Sequence, residues 1–307
     1  NRNKLIYLVI CFSLLLLSTA IVKANNYPVT IEDDLGRKVI INQQPNRIIS
    51  LAPSLTETLF ALGLESKMVG VTNYADYPQA TSKINKIGVP KESNLEQIIQ
   101  LQPDLVLAAG ITPKRMVNRL DQLGIKVIGL SPKTIPEIVE RISVIGKATG
   151  QIKEADELTT KLNKKIKTIT NLIKENISAS DRPKVFYEVW KDPLYTAGSD
   201  TFIDDLINLA GGINIAHNAQ GAWPQYNFEV LLAKNPDVYL ASKHSWKYEV
   251  TKQSIKEREN FKGIKAIKEG RISILDPNVV NRPTPRLITV GLEKVAKAIH
   301  PQLFKEE

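Results

Sequence analysis

Apolar and polar positions along this chain alternate between two periods. Residues 29–41 read as a hairpin: Val29-Thr30-Ile31, a polar Asp33-Asp34-Leu35-Gly36 turn, then Val39-Ile40-Ile41. Beyond it, short apolar runs (Ile48 to Leu51, Met68 to Val71, Leu105 to Leu107, Lys126 to Ile128) alternate with stretches at helical spacing (Leu55 to Leu62, Leu95 to Leu101, Met116 to Leu123). Strands interleaved with helices predict an α/β lobe with a largely parallel sheet.

The punctuation then stops. From Lys153 to Asn176 there is no Gly or Pro, and Leu158, Leu162, Ile166, Ile169 and Ile173 recur at helical spacing among Lys, Glu and Asn. That predicts one helix, roughly 36 Å long at 1.5 Å per residue. The α/β pattern resumes with Val185 to Tyr187, Phe202 to Leu209, Val230 to Lys234, Val238 to Leu240 and Ile272 to Leu275. A last helix runs from about Arg286 to Ile299. The expected organisation is an N-terminal lobe over residues 25–150, a bridging helix over 151–178 and a C-terminal lobe over 179–307.

The two halves echo each other. Asn94-Leu95-Glu96 followed by Pro103-Asp104-Leu105 matches Asn227-Phe228-Glu229 followed by Pro236-Asp237-Val238 at identical spacing. Each Asn is placed to cap a helix, and each Glu stands in its first turn, where the helix dipole favours an acid. Carboxylates repeated once per lobe also suit two Arg clusters on a symmetric partner. The fold class expected is two α/β lobes joined by a single long helix, a connector too stiff for wide hinge closure.

Composition narrows the function. Hydrophobic residues make up 43% and charged residues 24%, as in an ordinary globular chain. The basic residues behind the formal charge of +9 are scattered, so no nucleic-acid footprint is expected. Arg2 and Lys4 precede an apolar Leu5 to Val22, and Val22-Lys23-Ala24 follows as a small-residue cleavage pattern, so residues 1–24 read as a signal peptide. The stretch is also long enough to be a retained anchor, which would tether the chain to the outer face of the membrane. The single cysteine, Cys11, lies in that stretch behind Ile10, whereas a lipid-anchor cysteine follows a small residue.

Catalytic signals are poor. His217, His244 and His300 lack metal-ligand spacing, and no G-x-S-x-G, phosphate loop or G-x-G-x-x-G occurs. Neither metal nor cofactor is expected, and an α/β oxidoreductase is the remote rival. Aromatic residues are scarce, yet several fall in loops: Tyr74 and Tyr77 after a strand, Trp190 and Tyr195 again after a strand, and Trp223 within Gly221 to Gln225. Loops at strand ends are where open α/β sheets bind ligands, and rings there offer broad contact to a large flat molecule. The same rings could instead cap the lobe cores.

Arg47-Ile48-Ile49-Ser50-Leu51-Ala52-Pro53-Ser54-Leu55-Thr56-Glu57, Val69 to Thr72 and the Asn94 to Ala108 block resemble the substrate-binding proteins of ABC importers for cobalamin, siderophores and haem. The likeness extends over residues 45–303 and is strongest to the cobalamin-binding branch. Asn73 to Ala80, Pro193 to Gly198, Ala222 to Gln225 and Asn281 to Arg286 are similar to that branch's cleft loops. The resemblance implies an exported, monomeric protein that binds a corrinoid and docks on a membrane permease with its ATPase. Tyr74, Tyr195 and Trp223 would be ligand contacts, Asn281 and Arg282 polar ligand contacts, and Glu96 and Glu229 the docking acids; Trp190, beside the Tyr195 loop, is a further candidate contact read from its own position. Pro90, Ala109, Asn278 and Asn281 depart from the branch's aromatic and acidic residues. The alternatives are haem, with Tyr74 or His217 as axial ligand, and a ferric siderophore, for which Arg282 and Lys191 are the cations in view.

Overall fold

The computed structural model describes residues 27–243 and 250–304. The expected signal peptide, Cys11 and His244 lie outside the described residues.

A hairpin of β1 (Val29–Glu32) and β2 (Lys38–Ile41) opens the fold. The N-terminal lobe follows: β3 (Ile48–Ser50), α1 (Pro53–Ala61), β4 (Met68–Val71), a short pair β5 (Gly88–Val89) and β6 (Glu92–Ser93), α2 (Leu95–Gln100), β7 (Leu105–Ala109), α3 (Lys114–Gln122), β8 (Val127–Leu130) and α4 (Ile135–Thr149). After the unbroken α5 (Ile152–Asn176) comes the C-terminal lobe: β9 (Lys184–Glu188), α6 (Phe202–Leu209), β10 (Ile213–Asn214), α7 (Phe228–Lys234), β11 (Val238–Ser242), α8 (Lys252–Lys256), α9 (Lys265–Lys268), β12 (Ile272–Leu275) and α10 (Pro277–Val280). The expected last helix has a π-helical turn over Leu287–Gly291 before α11 (Leu292–Ile299).

Both lobes carry the same sheet. The strand orders are β4-β3-β7-β8 and β10-β9-β11-β12, all parallel, so each lobe reads second-first-third-fourth in its own chain order. The echoed Pro-Asp pairs do the same work in each. Asp104 accepts from Asn46 N (2.8 Å) and Arg47 N (3.0 Å) at the start of β3. Asp237 accepts from Lys184 N (2.8 Å) at the start of β9. Each acid fastens its lobe's third strand to the first.

Alternate residues of every central strand enter different cores, as a period of two demands. Val106 and Val127 pack outward with Ile98 and Leu120, and Phe186 and Tyr239 pack outward with Leu231 and Phe261. Leu105, Leu107 and Ile128 face the other way, as do Val185, Tyr187 and Leu240, and these belong to one cluster shared by both lobes. Helix α5 carries that cluster across, through Ala155, Leu162, Ile169 and Ile173. At 25 residues it is about 37 Å long.

The junction between α4 and α5 depends on two glycines. Gly150 closes α4 in the left-handed region at φ 74°, which glycine adopts without steric cost. Gly146 lets the helices touch: a Cβ there would stand 2.4 Å from the Ala155 Cβ.

Candidate functional site

In a parallel sheet the carboxyl ends of all strands point one way, and loops there form ligand crevices where the strand order reverses. Here both sheets aim those ends at a common cavity of about 1060 Å3. From the N-terminal lobe come Ser54 after β3, Tyr74 after β4, Gly110 after β7 and Lys133 after β8. The C-terminal lobe contributes Asp200, Trp223, Lys243 and Asn278. That volume is at the upper end of the roughly 300–1,000 Å3 usual for small-molecule pockets.

Of the residues singled out from sequence, Tyr74, Trp223, Asn281 and Arg282 line this cavity. Tyr74 is 41% and Trp223 46% exposed, so both rings stand open rather than packed away in a core. Trp223 is braced by Phe202, with ring centroids 6.0 Å apart at 65°. Pro90, Ala109 and Asn278 are also part of the wall.

Trp190 and Tyr195 are not part of that wall. They face each other in an antiparallel bridge, in which Tyr195 N donates to Trp190 O (2.9 Å), and Trp190 Nε1 donates to Asp192 O (2.9 Å). The next residues hold the Trp223 loop: Tyr195 bridges Gln225, Thr196 N donates to Pro224 O (3.1 Å) and Gly198 N to Ala222 O (2.9 Å). The backbone at Trp190 and Tyr195 thus braces the loop that carries Trp223. A ring in a loop after a strand gives the same signal in either role.

Asn281 and Arg282 line the cavity but are already engaged. Asn281 Oδ1 accepts from Tyr187 OH (2.6 Å), and its Nδ2 donates to Ser242 Oγ (2.8 Å). Arg282 Nη1 donates to Asp76 Oδ1 (2.6 Å) and more weakly to Glu57 Oε1 (3.3 Å), both from the other lobe. Arg286 joins them: its Nε and Nη2 donate to the two Glu57 oxygens (3.0 and 2.8 Å), and its guanidinium lies 3.8 Å from the centre of the Tyr77 ring. Burial opposes ionisation of Asp76, but the hydrogen bond and charge of Arg282 outweigh it and hold the carboxyl below the usual carboxylate range. At Glu57 burial prevails and pushes the carboxyl up despite both guanidiniums. A second tie joins the lobes where Ile135 N, opening α4, donates to Asp205 of α6 (2.8 Å).

Lys133, Asp200 and Asn278 were not among the sequence candidates as ligand contacts. Lys133 and Asp200 are lone charges in loops, with no pattern to lift them above the other charged residues. His217 bonds Asp204 (2.9 Å) away from the cavity wall, and His300 lies buried against Gly211 O (3.1 Å), with its pKa lowered by burial. Among the described residues, no group of three or more His, Cys, Asp or Glu could hold a metal ion, and no helix is long and apolar enough to cross a membrane.

Glu96 and Glu229 occupy matching places. Asn94 accepts from Gln97 N and Asn227 from Val230 N, both at 3.1 Å, so each asparagine caps its helix. Each glutamate is exposed in the first turn that follows.

The periplasmic binding protein family matches residues 48–279 of this chain. An uncharacterised ABC transporter substrate-binding lipoprotein of Bacillus subtilis is 36% identical, over 92% of this chain and 89% of its own length. A cobalamin-binding protein of Halobacterium salinarum is 30% identical, over 91% of this chain and 76% of its own. Among solved structures, the periplasmic vitamin B12-binding protein of Vibrio cholerae superposes with a TM-score of 0.70 at 26% identity, over 85% of this chain and 99% of that one. With twin parallel sheets, one bridging helix and a cleft between them, the chain belongs to the periplasmic binding protein family, as the substrate-binding component of an ABC transporter.

Proposed function

We propose that this chain captures cobalamin or a related corrinoid, one molecule per protein and without chemistry, and hands it to the permease and ATPase of an importer. The observation that carries this reading is the cavity of about 1060 Å3 with Tyr74 and Trp223 open to it. A large flat ligand gains most from rings presented edge or face on, at about 0.5–1.5 kcal/mol for each aromatic contact beyond area burial. Asn278, Ser131 and loop backbone would meet its amide edges. The unbroken helix and the ties between lobes leave the site largely formed in advance, so little ordering cost is paid on binding.

The reading extends to delivery. Residues 1–24 would direct export and be removed, leaving lobes at 25–150 and 179–307 around the helix at 151–178. The loaded protein would place Glu96 and Glu229 on cations of a two-fold permease, as a monomer. Charge steers such encounters and fixes their register more than it sets their affinity.

Haem is the second reading, favoured by the Tyr74 phenol in the cavity wall, which could serve as an axial ligand; His217 is not placed to do so. A titration against cyanocobalamin, cobinamide, haem and a ferric siderophore, read by tryptophan fluorescence, tests both. Saturable quenching by the corrinoids at micromolar concentration or below is expected. Quenching by haem alone, with a Soret shift that Tyr74→Phe removes, would replace the corrinoid by haem.

A further inference from the structure

Helices α2 and α7 repeat more than a cap and an acid. Each is anchored by one fully buried aliphatic, Ile98 or Leu231. Three residues beyond each exposed glutamate stands an exposed aliphatic: Ile99, 42% exposed, after Glu96, and Leu232, 37% exposed, after Glu229. Residues three apart are surface neighbours on a helix, so acid and aliphatic form one patch.

Single exposed aliphatics are ordinary on any protein surface. A matched pair in two diverged lobes is another matter. The exposed neighbours differ between the lobes, Gln97 against Val230 and Gln100 against Ala233. In α2 those neighbours are polar, so exposure there does not by itself select an apolar side chain; in α7 Val230, 42% exposed, widens the apolar patch. Positions 99 and 232 nevertheless both hold a branched aliphatic beside the conserved spacing of cap and acid within this one chain.

We infer that the two acid-and-aliphatic patches form a bipartite docking surface for a two-fold membrane partner that offers, in each half, one cation and one apolar recess. This rests on the docking reading above and adds the apolar half of the recognition. The carboxylates draw the partner in and orient it; the aliphatics, desolvated on contact, slow its departure. Acid alone would serve any basic surface, whereas a charge with an apolar neighbour at fixed spacing, given twice, selects one.

The test uses full-length chain and right-side-out membrane vesicles from cells that keep the importer but lack their own copy of this protein. Ile99→Ser with Leu232→Ser should weaken vesicle binding about tenfold or more, chiefly through faster dissociation and with unchanged salt dependence. Ile99→Ala with Leu232→Ala should fall between this and the unmodified chain. Both variants should melt and bind ligand as the unmodified chain does; should the serine pair melt early, the alanine pair carries the test. Glu96→Lys with Glu229→Lys should abolish vesicle binding. Unmodified dissociation in both aliphatic variants would overturn the apolar half while the glutamate reading stood. Vesicle binding that survives Glu96→Lys with Glu229→Lys as well would remove both.

Discussion

Arg286 grips Glu57 with two hydrogen bonds, of 3.0 and 2.8 Å, across the gap between the lobes. The carboxylate side chain is 3% exposed and the guanidinium 17%, so neither water nor a surface ion replaces the partner if one is lost. Glu57→Ala, which removes the acceptor of both guanidiniums, should cost about 2 kcal/mol in urea unfolding, below the roughly 3–5 kcal/mol of a fully buried pair because both arginines keep some water. Asp76→Asn, at a carboxylate half open to solvent, should cost within about 1 kcal/mol. Equal losses at the two sites would mean the clasp is not organised around Glu57.

Acid acts on the two carboxylates of this clasp in opposite senses. The Asp76 carboxyl is lowered in the folded state, so its contribution is complete above the ordinary carboxylate value of about 3.9 and is lost as pH falls through its lowered pKa. Glu57, raised by burial, works in the opposite sense: its share is largest at low pH and fades as pH rises through its raised value. Denaturation midpoints should therefore differ most between Asp76→Asn and the unmodified chain at neutral pH, and converge as pH falls through the lowered Asp76 pKa. A difference that grows on acidification would contradict the assignment.

Trp223→Ala should weaken the bound ligand by about 1 kcal/mol or more, some fivefold, through the lost ring contact. Isothermal titration measures it, and unchanged affinity would place the ligand elsewhere in the cavity.

Trp190→Phe should leave ligand affinity within about twofold, since Trp190 is not part of the cavity wall. A loss as large as that at Trp223 would show that the ring swings into the cleft on binding.

Gly146→Ala should destabilise. The new methyl would meet Ala155 Cβ and, at 2.8 Å, Gln151 O, which the stiff helix pair cannot yield cheaply. Overpacking of this kind costs about 1–3 kcal/mol, against about 1 kcal/mol gained in helix propensity. A raised urea midpoint would show that α4 and α5 separate more readily than their contact implies.

The long helix was legible because nothing interrupts its period: the sequence brackets Lys153 to Asn176, and the helix starts one residue earlier, at Ile152. The twin lobes were legible because Asn-x-Glu and Pro-Asp perform local tasks, capping a helix and fastening one strand to another, that leave a fixed spacing behind. Tyr74 and Trp223 could be picked out as rings in loops. Trp190 and Tyr195 gave the same signal, and the backbone bridge between them, which braces the Trp223 loop, left no local pattern to read. Glu57 and Arg286, 229 residues apart, were invisible as a pair, since neither has a local pattern that points to the other. Arg282 and Asn281 were found as cleft residues, while the partners that occupy them, Asp76 in the loop after β4 and Tyr187 in β9, lie 206 and 94 residues away in sequence.

The apolar cluster that runs through Ala155, Leu162, Ile169 and Ile173 from one sheet to the other makes the two halves thermodynamically inseparable. A cut at Gly150 would strip α5 of α4 and lay bare a seam that neither fragment can cover. Calorimetry of the intact chain should therefore give a single endotherm, and the halves expressed apart should each fail to reach a native core.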